Sequence, residues 1–213
     1  MEQREFVVEQ ETAGQRIDRF LSGEDTGLSR SALQALVAEG HVQCNGKAVA
    51  KSLKLKAGDT VYLSGTVYTS RDAAHKRIFE LLKNGEKTPY DINGTTVYYA
   101  GPTPTPEGLA IGSCGPTTSS RMDVYAPRML DMGLSAMVGK GPRSKEVCDA
   151  IVRNGAVYFC AIGGAGALAS KCIASCEVIA FEDLGCESVK KLEFNSFPLT
   201  VAIDAHGGNL FIK

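Results

Sequence analysis

Neither sign of charge dominates this 213-residue chain: 23 Lys and Arg stand against 24 Asp and Glu, a formal net charge of −1. Such a balance sets up no bulk field toward nucleic acid or a membrane surface. Long hydrophobic runs are also missing. No stretch reaches the roughly 20 apolar residues of a membrane span, and the opening MEQREFVVEQ carries charges where a secretory signal needs an apolar core. A cytoplasmic protein is therefore expected. None of the seven cysteines (44, 114, 148, 160, 172, 176 and 186) forms a CxxC pair. An odd, scattered set fits small buried hydrophobes in a reducing compartment better than a disulfide framework. There is no internal repeat, no low-complexity tract and no Gly/Pro/Ser-rich linker, so any two units in the chain are expected to be packed or rigidly coupled. What remains is a 44% hydrophobic content, enough for one well-buried core or a core with a small appended domain.

The pattern changes near residue 55. Before it, Ile17, Phe20 and Leu21 share a helical face ended by Gly23, and Ser29 caps a second apolar stripe of Leu33, Leu36 and Val37 that Gly40 ends. Asn45-Gly46 then signals a tight hairpin. Residues 1–54 thus read as two short helices and a hairpin, a unit with a marginal core if alone. From 55 to 213 strands and helices alternate. DTVYLSG, TTVYYAG, LSAMVGKG, AVYFCAIGG, CEVIAFEDL and LTVAID read as strands. SRDAAHKRIFELLKNG, with Ser70 as cap, PRSKEVCDAIVRNG and the short AGALASKCI read as helices, and in RMDVYAPRMLDMG Pro127 forces a break or a fresh start. The fold class predicted is α/β, a sheet covered by helices.

Three glycine-containing turns follow strands in that second region, SGTVYTSRD, CGPTTSSRMD and GKGPRS, and each brings a cation: Arg71, Arg121 and Lys140. Arg71 and Arg121 fall near predicted helix starts, where the macrodipole disfavours positive charge. Surface pairing of each arginine with its neighbour, Asp72 or Asp123, would explain them blandly. Together they describe something else. Two guanidiniums can each grip a carboxylate while an ammonium and threonine hydroxyls hold the rest of a small dianion; the same cradle would suit phosphate. His75, one turn along from Arg71, reads as a packing residue, and His41 and His206 fall in turns. The Gly164, Gly166 and Ala169 run, with Glu182 and Asp183 beyond it, superficially fits a dinucleotide fingerprint. Only about thirty residues follow Asp183, too few for the rest of such a sheet, and close helix packing explains the glycines more simply.

VYLSGTVYTSRDAAHKR, YYAGPTPTPEG, GPTTSSRMD, GKGPRS and AIGGAGALA, in this order and at these spacings, resemble the β subunit, or C-terminal domain, of the class I iron-sulfur hydro-lyases, fumarate hydratase and L(+)-tartrate dehydratase. SRDAAH, PTPEG and IGGAGA lean toward fumarase. The resemblance covers roughly residues 56–212. It implies a swivelling β/β/α-type domain that hydrates fumarate reversibly to L-malate beside an α partner, with a C4 dicarboxylate lined by Arg71, Thr117, Thr118, Arg121 and Lys140. It makes Thr117 the proton abstractor. It also implies a 4Fe-4S cluster held by the α subunit and none on this chain alone; tartrate dehydration is the alternative within the family.

AGQRIDRFL, LSRSALQALVAEGHVQCNGK and KSLKLKAGD resemble a small α+β S4 domain, the RNA-binding module at the front of many pseudouridine synthases. That likeness implies possible RNA contacts at Arg16, Arg30, Ser31 and Gln34, and with them an alternative in which RNA binding is the function and the hydro-lyase domain is inactive. Through Thr60, however, eight basic residues face nine acidic ones, which argues against tight, sequence-independent phosphate binding. The expected boundary is 54/55, and LKLKAGDTVYL would suit the sheet of either unit.

Overall fold

The computed structural model describes residues 20–21, 33, 36, 43–44, 47–48, 55–161 and 166–212. The chain divides into two compact units, residues 1–54 and 55–213. In the first, residues 20, 21, 33 and 36 are helical, and Phe20, Leu21 and Leu33 are buried in one cluster. Strands β1 (Gln43–Cys44) and β2 (Lys47–Ala48) pair antiparallel with Cys44 opposite Lys47, leaving two residues between them as the Asn45-Gly46 signal requires. The RNA contacts implied at Arg16, Arg30, Ser31 and Gln34 lie outside the described residues.

The second unit is built on a six-stranded sheet: β3 (Thr60–Thr69), β4 (Thr96–Tyr98), β5 (Ala136–Gly139), β6 (Val157–Cys160), β7 (Ile173–Ala180) and β8 (Val189–Ile203). Its order is β3-β4-β5-β6-β8-β7, and a further β3–β8 pairing closes the first five strands into a barrel-like ring, with β7 added on β8. β3 to β6 run parallel, while β8 is antiparallel to β3, β6 and β7. The strand at the junction therefore belongs to the larger sheet.

Side-chain alternation divides the core in two. Val67, Tyr98, Val138, Phe159, Leu192, Phe194, Leu199 and Val201 form one cluster. Their sequence neighbours Val97, Tyr99, Met137, Tyr158 and Ala202 belong to the other, with Ile78 of α1 (Asp72–Lys83), Met129 and Leu130 of α2 (Ala126–Asp131), and Val147 and Ile151 of α3 (Lys145–Asn154). One face of the ring thus packs on itself and the other on helices. The remaining helix, α4 (Gly166–Lys171), buries Ala169. Among the described residues, no helix is long and apolar enough to cross a membrane.

Several local readings need correction: the strand read in DTVYLSG runs on through Gly65 to Thr69, so most of SGTVYTSRD is strand rather than turn, and the strand read in CEVIAFEDL ends at Ala180, before the 3-10 segment Glu182–Glu187. The helix after β3 begins one residue later than its serine suggests: Arg71 occupies the N-cap position with no side-chain cap of its own, and Ser70 instead lies against His75. β8 is 15 residues long rather than the six of LTVAID. Lys190, Lys191, Glu193 and Asn195 mask the period, and Pro198 suggests a break. The strand survives because a bulge intervenes, with Gly65 (φ 102°) in β3 opposite a stretch containing Ser196 (φ 52°), whose amide donates to Ser64 Oγ at 2.9 Å.

Candidate active site

Parallel strands end together, so the carboxyl ends of β3, β4 and β5 deliver their following turns to one rim. Backbone bonds stitch the turns to one another. The Ser70 amide donates to the Tyr98 carbonyl at 3.3 Å, joining the β3 turn to β4. Thr117 donates its amide to the Tyr99 carbonyl at 2.8 Å, and Pro116 bridges Ala100. Beyond them, Thr118 bridges Lys140 in parallel fashion, the Ser119 amide donates to the Lys140 carbonyl at 3.0 Å, and the Lys140 amide returns a bond to Ser119 Oγ at 3.0 Å. A side chain on Gly139 would strike that same Ser119 hydroxyl, so only glycine fits there. Buried Ser119 also hydrogen-bonds the Tyr158 hydroxyl at 2.9 Å.

Arg71, Thr117, Thr118, Arg121 and Lys140 all stand on these connected turns. Arg71 is extended, and its guanidinium lies 3.2 Å from Glu187 with the side chain 17% exposed. Thr117 is half-buried and Thr118 exposed; neither hydroxyl makes a hydrogen bond among the described residues. Arg121, on the 3-10 turn Ser119–Met122, is 52% exposed and donates Nε to Asp72 Oδ1 at 3.1 Å. Half-buried Lys140 has no carboxylate within ion-pair distance among the described residues. The bland pairing of each arginine with the aspartate next to it is therefore wrong in detail. Asp72 reaches across to Arg121, and Asp123 holds a different arginine.

That arginine, Arg143, stands in no local pattern that would single it out. Its guanidinium is fully buried over the rings of Tyr99 and Tyr158, at 5.3 and 4.9 Å from their centroids, and donates Nε to Asp123 Oδ1 at 2.7 Å. The second oxygen of Asp123 accepts the Ser144 amide at 2.6 Å. One carboxylate thus fastens the end of the GPTTSSRMD segment to the start of α3, just beyond Lys140. Its legible trace was the Gly-Pro-Arg-Ser order, which reads only as a turn and cap.

His75 is buried, as a packing residue should be. Its Nδ1 lies 2.9 Å from the Arg71 carbonyl and 3.1 Å from Ser70 Oγ, and its ring stacks on Tyr125. Burial, with a smaller contribution from Arg143, lowers its pKa to about 4 despite the Arg71 carbonyl bond and the charge of Asp72. It is neutral at ordinary pH. Gly166 serves close packing, since a Cβ there would come within 2.9 Å of the Gly115 amide nitrogen and would strike Ser113; the neighbour it admits is the 113–115 turn rather than a strand. Burial pushes the Cys114 thiol up to about 12. Among the described residues no group of three or more His, Cys, Asp or Glu gathers as metal ligands would.

The family described as Fumarase C-terminus matches residues 20–213. The chain belongs to the fumarase C-terminal family. Fumarate hydratase 2 of Leishmania major is 42% identical over 158 residues, 73% of this chain and 28% of that protein. Fumarate hydratase class I, aerobic, of Escherichia coli K12 is 42% identical over 151 residues, 70% of this chain and 28% of that enzyme. A Methanocaldococcus jannaschii protein assigned as an L(+)-tartrate dehydratase subunit beta is 42% identical over 164 residues, 74% of this chain and 84% of its own length. This member of the fumarase C-terminal family therefore spans little more than a quarter of the two fumarate hydratases, but most of the length of the separate β subunit.

Proposed function

We propose that this chain is the β subunit of a class I fumarate hydratase, catalysing the reversible hydration of fumarate to L-malate with a cluster-bearing α subunit. The observation that carries the reading is the joining of three cation-bearing turns on one rim, through the Arg121–Asp72 bond and the Thr118–Lys140 bridge. In this reading Arg71 and Arg121 each hold one carboxylate of the C4 dicarboxylate through paired N–H donors. Lys140 and Thr118 complete the grip on the dianion. In the dehydration direction Thr117 Oγ takes the proton from the carbon beside the hydroxyl-bearing one, the C–H electron pair becomes the C=C bond, and the C–O bond breaks to release hydroxide, which leaves as water with the abstracted proton. An alcohol does this only where neighbouring cations favour its alkoxide, and the rim provides them.

The described residues of this chain do not offer the gathered thiolates that an iron-sulfur cluster needs. The proposal accordingly assigns the 4Fe-4S cluster to the partner and derives no step through it. Tartrate dehydration is the second reading, favoured by the M. jannaschii relative, which matches this chain over 84% of its own length. The deciding experiment is coexpression with a candidate α chain and anaerobic assay on fumarate, L-malate and L(+)-tartrate. Turnover of fumarate and L-malate is expected; turnover of tartrate alone would move the assignment to the second reading, and an assembled, cluster-loaded complex inert to all three would refute both.

A further inference from the structure

The Glu187 carboxylate makes two separate contacts in the β3 turn. Oε1 lies 3.2 Å from Arg71 Nη2. Oε2 accepts the Ala73 amide at 3.0 Å, so a residue 114 positions away caps α1 where Arg71 itself does not. The guanidinium is confined on another side. A Cβ at position 101 would lie 2.6 Å from Arg71 Nη1 and 3.1 Å from the Cys186 carbonyl, so Gly101 is the space into which the arginine fits. Arg71 Nε is buried without a hydrogen-bond partner, and the side chain keeps 17% of its surface exposed, so the substrate must be met by the exposed part of the guanidinium rather than by Nε.

The turn that carries Glu187, the 3-10 segment Glu182–Glu187, is itself pinned by a buried ammonium. Lys190 is 7% exposed. Its Nζ donates to the Gly185 carbonyl at 3.0 Å and Ser188 Oγ at 2.6 Å, and lies 3.4 Å from the Cys186 and Ser188 carbonyls. Among the described residues no carboxylate pairs with it, and burial lowers its pKa. A lysine kept from water and spent on backbone carbonyls makes the turn rigid on both sides of Glu187.

Resting on the reading of Arg71 as a carboxylate anchor, we propose that Glu187 is a positioning residue for substrate: it holds one edge of the Arg71 guanidinium against Gly101 and leaves the exposed part for a substrate carboxylate. Orientation fixed before binding is affinity gained, because the substrate need not order a long side chain. Both carboxylate oxygens are needed. Glutamine at this position would turn an NH2 group toward either the Ala73 amide or the arginine, two donors face to face, and so keep only one of the two bonds.

The test uses the chain assembled with its cluster-bearing partner and steady-state kinetics on L-malate, or on L(+)-tartrate if that is what the complex turns over. Glu187→Ala is expected to raise KM at least tenfold while kcat falls less than threefold. In an Arg71→Ala background the same change should alter kcat/KM less than twofold. Glu187→Gln, which keeps the side-chain volume, should move KM in the same direction with a smaller loss of Tm, and covers the case in which the alanine variant does not fold. A merely structural role would lower Tm and active fraction but leave KM in place; that result, or full additivity with Arg71→Ala, overturns the proposal. The two readings fail separately. An Arg71→Ala complex with intact kcat/KM sinks the substrate site itself, whereas a crippled Arg71→Ala beside an unchanged KM in Glu187→Ala and Glu187→Gln sinks only the assignment of Glu187.

Discussion

Arg121 is half exposed, and its 3.1 Å bond to Asp72 is an ion pair of the kind that contributes at most about 1 kcal/mol to folding. Two charge-assisted bonds from the same guanidinium to a substrate carboxylate would contribute far more, roughly 1.5–3 kcal/mol each. Arg121→Ala should therefore leave assembly and Tm nearly unchanged while lowering kcat/KM on the order of a hundredfold or more; unchanged turnover in the assembled complex would refute its role. His75 presents the opposite case, a buried ring that holds the backbone of the β3 turn at the Arg71 carbonyl. Its pKa of about 4 in the native state lies below the ordinary 6.5, so the unfolded chain binds the proton more readily. Its contribution is complete above about pH 6.5 and is lost as pH falls toward 4, by about 2 kcal/mol at pH 5. Denaturant unfolding of the wild type and His75→Gln at pH 7 and pH 5 checks this: the stability gap between them should narrow at the lower pH, and a constant gap would show that His75 does not titrate on unfolding.

At the scale of the elements, much was legible because short-range physics decided it. Ser144 caps α3 and Gly155 (φ 64°) closes it, as a serine before and a glycine after an apolar 3.6 period require. Pro127 starts α2 afresh after the 3-10 turn. What the sequence did not disclose is long-range. Ring closure depends on β8 pairing with β3 across more than a hundred residues, and its polar positions and proline hide the strand. The crossed pairings of Arg71 with Glu187 and of Arg121 with Asp72 likewise follow from which turns meet, and no local pattern carries that. Gly139 lies between the two cases: it reads as a turn glycine but is the last residue of β5, where only a hydrogen leaves room for Ser119. Gly139→Ala should cost about 1–3 kcal/mol in denaturant unfolding through overpacking, and by pushing Ser119 off β5 should weaken substrate binding at Lys140. A variant as stable as wild type with normal KM would show that the Ser119–Lys140 ties do not set the rim.

For the whole molecule the proposed function implies a site that this chain does not finish alone. Thr118 is exposed and Arg121 half exposed, so the proposed anchors stand at a surface where water and salt weaken each charge. Removing a proton from carbon needs those charges at low-dielectric strength, which requires a second surface to cover the rim. The same chain covers 28% of the single-chain fumarate hydratase from E. coli and 84% of the M. jannaschii β subunit, as expected if the covering surface is joined covalently in one case and separate in the other. The purified chain, reconstituted anaerobically with iron and sulfide, should therefore show no stoichiometric cluster absorbance and no hydration of fumarate, and both should appear once the α chain is coexpressed. A full complement of iron and sulfide on this chain alone would mean that the metal half of the chemistry had been assigned to the wrong polypeptide.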